Sequence, residues 1–428
     1  MNRKNFISTI GVAAGGALTG FQRPESAKFA NRQLVLPSDE QALWEVVRQE
    51  FGFPDGYVYL NTGGIGSVPR HVRSFFNDAW AQLEMNPTPG HDLKKWDNIK
   101  KAIVPFLGKD VDYSEIALIG SATEGINIIL NGLPLQRGDE IITSTHEHVA
   151  LHIPLLNQIK RRGVVVKYFE PDREVGLNNV KKINDLLSKK TRLVFLSHRT
   201  TTTGQLLPLK EIGELIKSKN IWFAIDGAQV PGSMEVDVNS YHADFYTFSC
   251  HKWMLAPRRT GVLYVRKDML DILVPVTVGA YSDNGMNIKE GTLNFQPSAQ
   301  RYEYGTQNEL LFFGLNESIK FINSIGLKRI RTHNEILSER FYQDLKNTSG
   351  IELLSPAERE YRSSMITFRI QGKSINEISA AMGKDNIRVR PVSEADLNGI
   401  RVSFHLYNNM NDVERAVVSI RNIAGKDK

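Results

Sequence analysis

The sequence predicts an α/β chain, with a mostly parallel, helix-covered sheet followed by a smaller α+β C-terminal domain. Three observations predict it. Seven short, nearly continuous apolar runs lie between residues 115 and 266, the way strands buried on both faces of a parallel sheet read. Amphipathic stretches fall between many of them, and alternating β and α elements argue for helices laid over the sheet. Near residue 306 the pattern changes to two long helical stretches and then short strands. A length of 428 residues exceeds what one compact core usually serves, so two domains are expected.

The elements follow in order. Residues 1–36 begin "MNRKNFISTIGVAAGGALTGFQ", a basic start and then a weakly apolar, Gly/Ala-rich stretch. That layout is an export signal, too short and glycine-rich for a membrane span. It resembles a twin-arginine signal with Lys4 in place of the second arginine. Export to the periplasm is therefore expected, the alternative being a disordered arm on a cytoplasmic protein. "SDEQALWEVVRQEF" opens with Ser38 and Asp39 as capping residues and reads as an amphipathic helix. "YVYLNTGGIGSVPRHV" reads as a strand, a glycine-rich turn and a helix start. Residues 37–69 are expected to pack with the small domain.

Residues 70–305 form the expected large domain. Its strands are "EIALIG", "EIITST", "VVVKYFE", "RLVFLSH", "IWFAIDG", "ADFYTFS" and "GVLYVR"; "EGINIILNGL", "HVALHIPLLNQIKRRG" and "LKEIGELIKSK" are helical between them. Residues 306–428 form the small domain: a long helix, a break at Gly326, a second helix, the strands "IELLS", "SSMITFRI", "IRVRPV" and "GIRVSF", and a final N-capped helix.

Composition excludes several classes. The formal charge of +6 is concentrated at the start: Arg3, Lys4, Arg23, Lys28 and Arg32 against Glu25 give +4 within residues 1–36, leaving +2 elsewhere. No basic stripe interleaved with aromatics follows, so no nucleic-acid partner is expected. No stretch is long and apolar enough for a stable membrane span. One cysteine forms no internal disulfide, and no CxxC pair offers a structural zinc site.

Four groups at strand ends could carry chemistry. Asp226 ends the strand "IWFAIDG", where a buried carboxylate is costly unless it faces a cation; alone it reads as a capping residue. Lys252 follows "ADFYTFSCH", and a lysine just past a buried strand can become an amine nucleophile toward carbonyls. Ser121, Ala122 and Thr123 open a helix directly after a strand, which makes an anion site, though Ser121 to Glu124 is also a simple capping box. His146, His148 and His152 lack an HExxH pattern and an acidic ligand, so no metal site is expected; an imidazole there could instead stack on an aromatic ligand. Together the groups describe a ligand with a phosphate, a basic ring nitrogen and a carbonyl carbon. Pyridoxal phosphate has these handles: Asp226 would keep the ring nitrogen protonated, and Lys252 would hold the aldehyde as an imine and later act as general base.

"AIDGAQ" followed by "SCHKW" resembles the class V aminotransferase family of fold-type I pyridoxal-phosphate enzymes, and "CHKW-x-x-AP" looks most like its isopenicillin N epimerase-like branch. The resemblance covers nearly everything after residue 40. It implies that Lys252 binds the cofactor covalently, Asp226 pairs with the pyridinium, Gln229 bonds the ring's phenolic oxygen and His148 stacks on the ring. Ser249 and His251 would contact the phosphate with Ser121, Ala122 and Thr123, and Thr201 would lie close to the cofactor. "EYGTQN" implies that Thr306 reaches the phosphate of a neighbouring subunit, hence a homodimer with shared sites. "GIRVSFHLYNNMNDVERAV" implies that Arg401 binds the substrate carboxylate. Asn61 and Gly63–Gly64 would line the substrate entrance.

The resemblance leaves the reaction open. Cysteine desulfurases share this scaffold but need a mobile thiol in a C-terminal-domain loop, and "PVSEADLNG" before Arg401 has none. Cys250 lies between two expected phosphate contacts and should point away from them in an extended segment. A persulfide-forming desulfurase is therefore disfavoured. The expectation is an enzyme acting at the α carbon of an amino acid, with aminotransferase as the family-level name and epimerisation or C–S β-elimination as alternatives. A non-catalytic binding protein on the same fold is the reading from another class.

Overall fold

The computed structural model describes residues 36–87 and 92–425. The expected export signal lies outside the described residues, apart from Leu36. Chain order gives fifteen strands among them: β1 (Val58–Tyr59), β2 (Ile116–Ile119), β3 (Glu140–Ser144), β4 (Val165–Phe169), β5 (Thr191–Ser197), β6 (Trp222–Asp226), β7 (Phe245–Ser249) and β8 (Gly261–Val265), then the hairpin β9 (Asp283–Asn287) and β10 (Thr292–Phe295), and β11 (Ile351–Leu353), β12 (Met365–Ile370), β13 (Ile387–Arg388), β14 (Arg390–Val392) and β15 (Gly399–Ser403).

The large sheet has the order β2-β8-β7-β6-β5-β3-β4. All neighbours are parallel except β8, which runs antiparallel to both β7 and β2. A parallel β7–β8 pair would need a long crossover; the eleven-residue link allows only the antiparallel pairing, and that link carries Lys252. Strand periodicity divides the core between the two faces of the sheet. Leu193 and Phe195 pack with Ala224, Phe245 and Leu263 on one side. Val194 and Leu196 pack with Phe223, Ile225, Tyr246 and Phe248 on the other.

The second sheet, β11-β12-β15-β14, is antiparallel throughout. Its core includes Val58 and Leu60 from the N-terminal segment, because β1 pairs in parallel with β13 and Asn61 bridges Ser403. The two long helices, Glu309–Ile325 and Leu327–Lys346, are separated by Gly326 at φ +93°, a conformation glycine adopts without strain. No helix among the described residues is long and apolar enough to cross a membrane.

Candidate active site

The parallel strands end on one side of the large sheet, where loops and helix starts surround a cavity of about 230 Å³. Ser121 caps the helix Ala122–Gly132, accepting from Glu124 N–H. This helix lies close on the sheet because Gly125 has no side chain; a Cβ there would sit 2.1 Å from Thr247 Oγ1. Ser249, the last residue of β7, accepts from Ala122 N–H at 2.9 Å, which ties the helix start to the strand end. Ser121, Ala122, Thr123, Ser249 and His251 all line this end of the cavity. First-turn amides of a helix lack intrahelical acceptors, so the end suits an anion. His251 Nδ1 is buried without a partner among the described residues, and burial together with the Lys252 charge lowers its pKa to about 4.

Asp226 ends β6 and accepts from Ala228 N–H at 2.9 Å. Burial raises its pKa, opposed by the positive charge of Lys252. Burial also lowers the Lys252 amine to about 8, with Asp226 acting the other way. Lys252 and Asp226 therefore stabilise each other's charged forms at a site where either charge alone would cost several kcal/mol. His148 caps the helix Val149–Arg162 by accepting from Ala150 N–H on Nδ1, which fixes its ring at the cavity wall. Burial and then Lys252 lower His148 to about 4, so the ring is neutral at pH 7.

Gln229 is held at both ends of its amide: Nε2 donates to Gly63 O and Oε1 accepts from Trp253 Nε1, each at 2.9 Å. Gly63 and Gly64 line the cavity, and a Cβ on Gly63 would meet Arg401 Nη2 at 2.9 Å and Gln229 Oε1 at 3.1 Å. Gly66 N–H donates to His251 O, and a Cβ there would lie 2.0 Å from Lys252 O. The glycine-rich stretch read from the sequence thus lets N-terminal backbone touch the lysine turn directly.

Three expected residues stand apart from this wall, Asn61, Arg401 and Thr306: Asn61, expected at the substrate entrance, instead faces Arg401. Arg401 lies behind Gly63, with no solvent exposure; its Nη1 donates to Thr201 O at 2.7 Å and Thr201 Oγ1 at 3.0 Å, and Nη2 reaches Asn61 Oδ1 at 3.4 Å. Its Nε has no partner among the described residues. Burial, then Arg390, lowers it to about 9, which leaves it a cation at neutral pH. Thr306 is exposed and outside the cavity of its own chain.

Three residues escaped the sequence reading. Arg390 lines the cavity, paired with Glu394 four residues on. Arg199 also lines it, with its guanidinium 5.0 Å from the Trp253 ring centre. Glu147 lies buried, accepting from Ser144 Oγ at 2.7 Å and Ser197 N–H at 3.0 Å; burial, with Asp226 adding repulsion, raises it to about 7. Their only sequence signal is charge inside otherwise apolar or hydroxyl-rich segments. The other two histidines are engaged separately: His146 with Glu170 and Thr202, His152 with Ser144 O. No His/Cys/Asp/Glu group among the described residues could hold a metal ion.

The site fits pyridoxal phosphate on three observations: an amine and a carboxylate of opposed charge in one cavity, a neutral ring fixed at its wall, and a helix start beside a partnerless buried imidazole nitrogen. Cys250 lies between two cavity residues but has no exposure and packs in the core with Met254 and Leu255.

Comparison with known proteins agrees with this geometry. A family model described as aminotransferase class-V matches residues 72–416. A probable cysteine desulfurase of Pyrococcus abyssi is 27% identical over 390 residues, covering 86% of this chain and 95% of its own. The apo structure of a cysteine desulfurase from Thermococcus onnurineus superposes with a TM-score of 0.80 at 26% identity, covering 89% of this chain and 98% of its own. A lysine-to-alanine mutant of C-DES, with glycine covalently linked to the PLP cofactor, shares the fold at a TM-score of 0.79 and 23% identity, covering 87% and 98%.

Proposed function

The chain belongs to the class-V aminotransferase family of pyridoxal-phosphate enzymes, and on that premise we propose that it cleaves a carbon–sulfur bond of a sulfur-containing amino acid by β-elimination, releasing the sulfur to solution. One observation carries this reading. Two of the relatives named above carry the name cysteine desulfurase, one as probable, yet the only thiol of this chain is Cys250, which is sealed in the core and pushed toward its protonated form by burial. Sulfur acceptance needs an exposed thiolate. Residues 393–398, before Arg401, contain no cysteine.

The cofactor, when bound, supplies an electron sink for negative charge at the carbon bearing the substrate's amino group. Asp226 would place its carboxylate opposite the ring nitrogen and keep a proton there. His148 would cover one face of the ring with a neutral imidazole, adding no charge that competes with Asp226. Ser121, Ala122, Thr123, Ser249 and His251 would hold the phosphate. Gln229 has a second N–H, beyond the one given to Gly63 O, for the ring oxygen. Lys252 Nζ, lowered by burial to about 8, would take the Cα proton in its neutral form; the electron pair left behind would then expel the sulfur from Cβ. Arg401 would hold the substrate carboxylate through Nε and the nitrogen that only loosely meets Asn61.

The test is product analysis of the holoenzyme. With L-cysteine and water, elimination gives pyruvate, ammonia and sulfide in equal amounts. Alanine as the product, or a keto acid that keeps the sulfur, would overturn the proposal. We also infer a homodimer, in which the exposed Thr306 serves the partner's phosphate site, and export directed by residues 1–36.

A further inference from the structure

A second cleft, of about 360 Å³, opens on the other side of Arg199 against the helix Leu327–Lys346. Two side chains in its lining are 2% exposed and incompletely bonded. Arg199 has Nε and Nη1 without partners among the described residues, while Nη2 donates to Ser233 Oγ at 3.2 Å. Arg331 and Glu335, which line the same cleft, are charged groups that act on it. Asn334 has Oδ1 without a partner.

The orientation of Asn334 follows from its neighbour. His405 Nε2 is 2.9 Å from Trp253 O, which can only accept, so that nitrogen carries the proton. Burial lowers His405 to about 3, so its Nδ1 is bare at neutral pH and accepts from Asn334 Nδ2. Asn334 Oδ1 is therefore an acceptor awaiting a donor. Elsewhere in the cleft charges pair, Arg331 with Glu335 and Arg362 with Glu339, and Arg359 and Glu360, of opposite charge, are exposed to solvent. What remains among the buried groups is one cation needing an anion, Arg199, and one acceptor needing a donor, Asn334 Oδ1, where an unmet group is costly.

We propose that this cleft is a second binding site, for small zwitterions of the α-amino-acid class, with the carboxylate on Arg199 and the ammonium donating to Asn334 Oδ1. The site is separate from the cofactor cavity, with Arg199 forming the wall between them. It does not depend on which reaction the cofactor site performs.

N,N-Dimethylglycine is the probe. It keeps a carboxylate and one N–H, but its tertiary amine forms no imine with an aldehyde, so the cofactor cannot capture it. Calorimetric titration of the holoenzyme should show one site per protomer, with the visible cofactor band unchanged. Trimethylglycine, which has no N–H, should bind at least about tenfold more weakly. Arg199→Leu and Asn334→Leu should each weaken dimethylglycine by about tenfold or more, whereas Arg401→Ala should leave it bound. No binding, equal binding by both cleft variants, or loss on Arg401→Ala instead would overturn the proposal. If the variants do not fold, crystals of the unaltered holoenzyme soaked with dimethylglycine decide it. Density in the cleft supports the site; density only in the cofactor cavity, or none, refutes it.

Discussion

Replacing Cys250 by alanine tests the division of labour around Lys252. The backbone bonds that shape the lysine turn, Cys250 N–H to Thr260 O and Ala256 N–H to Cys250 O, do not involve the thiol. Removing a fully buried sulfur forfeits roughly 1 kcal/mol of transfer free energy. A residual cavity of roughly 25 Å³ adds roughly 0.6 kcal/mol. The expected destabilisation is thus about 1.5 kcal/mol, a drop of a few degrees in Tm for a chain of this size. Turnover of L-cysteine should stay within about threefold of the parent, because no step of the proposed elimination uses the thiol. The assay pairs thermal unfolding of the holoenzyme with initial rates of pyruvate release. A loss of about 100-fold or more in turnover, with cofactor content and Tm intact, would refute the reasoning and restore Cys250 as a sulfur carrier.

Three further outcomes are expected. Cofactor-free protein should capture pyridoxal phosphate at a rate that rises with pH through a midpoint near 8, since only the neutral Lys252 amine reacts; Asp226→Asn should move that midpoint lower, because Asp226 is the group that raises it. A stopped-flow pH series with a midpoint near 10.5 in both proteins would exclude a lowered lysine. Gly66→Ala should cost roughly 1–3 kcal/mol, because its Cβ would press on Lys252 O, and should lower the visible absorbance per protein after gel filtration. Thr306→Ala should weaken cofactor retention about tenfold in a protein that light scattering finds to be a dimer; undiminished retention would remove Thr306 from the partner's site.

The large sheet was legible because a parallel strand buried on both faces has no polar side to blur it. "RLVFLSH" and "ADFYTFS" announce themselves, and a serine near the end of each marks where the strand stops. The β9–β10 hairpin was not legible: "DNGMN" has no apolar alternation, and most of the hairpin is exposed, so no core imposes a pattern on it. In the site, Lys252 and Asp226 stood out because a charge directly after an apolar strand needs a reason. Arg199 and Arg390 did not. Arg199 sits among threonines, and the side chains its guanidinium meets, Ser233, Met234 and Trp253, come from later in the chain. Arg390 carries the ordinary signature of an i, i+4 ion pair with Glu394. Such roles depend on tertiary neighbours that no local stretch announces. Arg401 shows the reverse: its position could be read, but not that Thr201 and Asn61 would already hold part of its guanidinium.

The contact of Gly63 and Gly66 with Arg401 and Lys252 sets a limit on how far the N-terminus can be trimmed. The segment that carries these glycines is anchored upstream by Arg48, which donates to Tyr407 O and pairs with Asp412 at 2.7 Å. A protease that removed a leader ahead of Asp39 would leave this anchor intact. One that cut within the helix Glu40–Gln49 would loosen that anchor and leave the glycine loop held only by the β1–β13 pairing, the Asn61–Ser403 bridge and its bonds to Gln229 and His251. Any trimming of this chain must therefore leave Asp39 and the helix it caps in place.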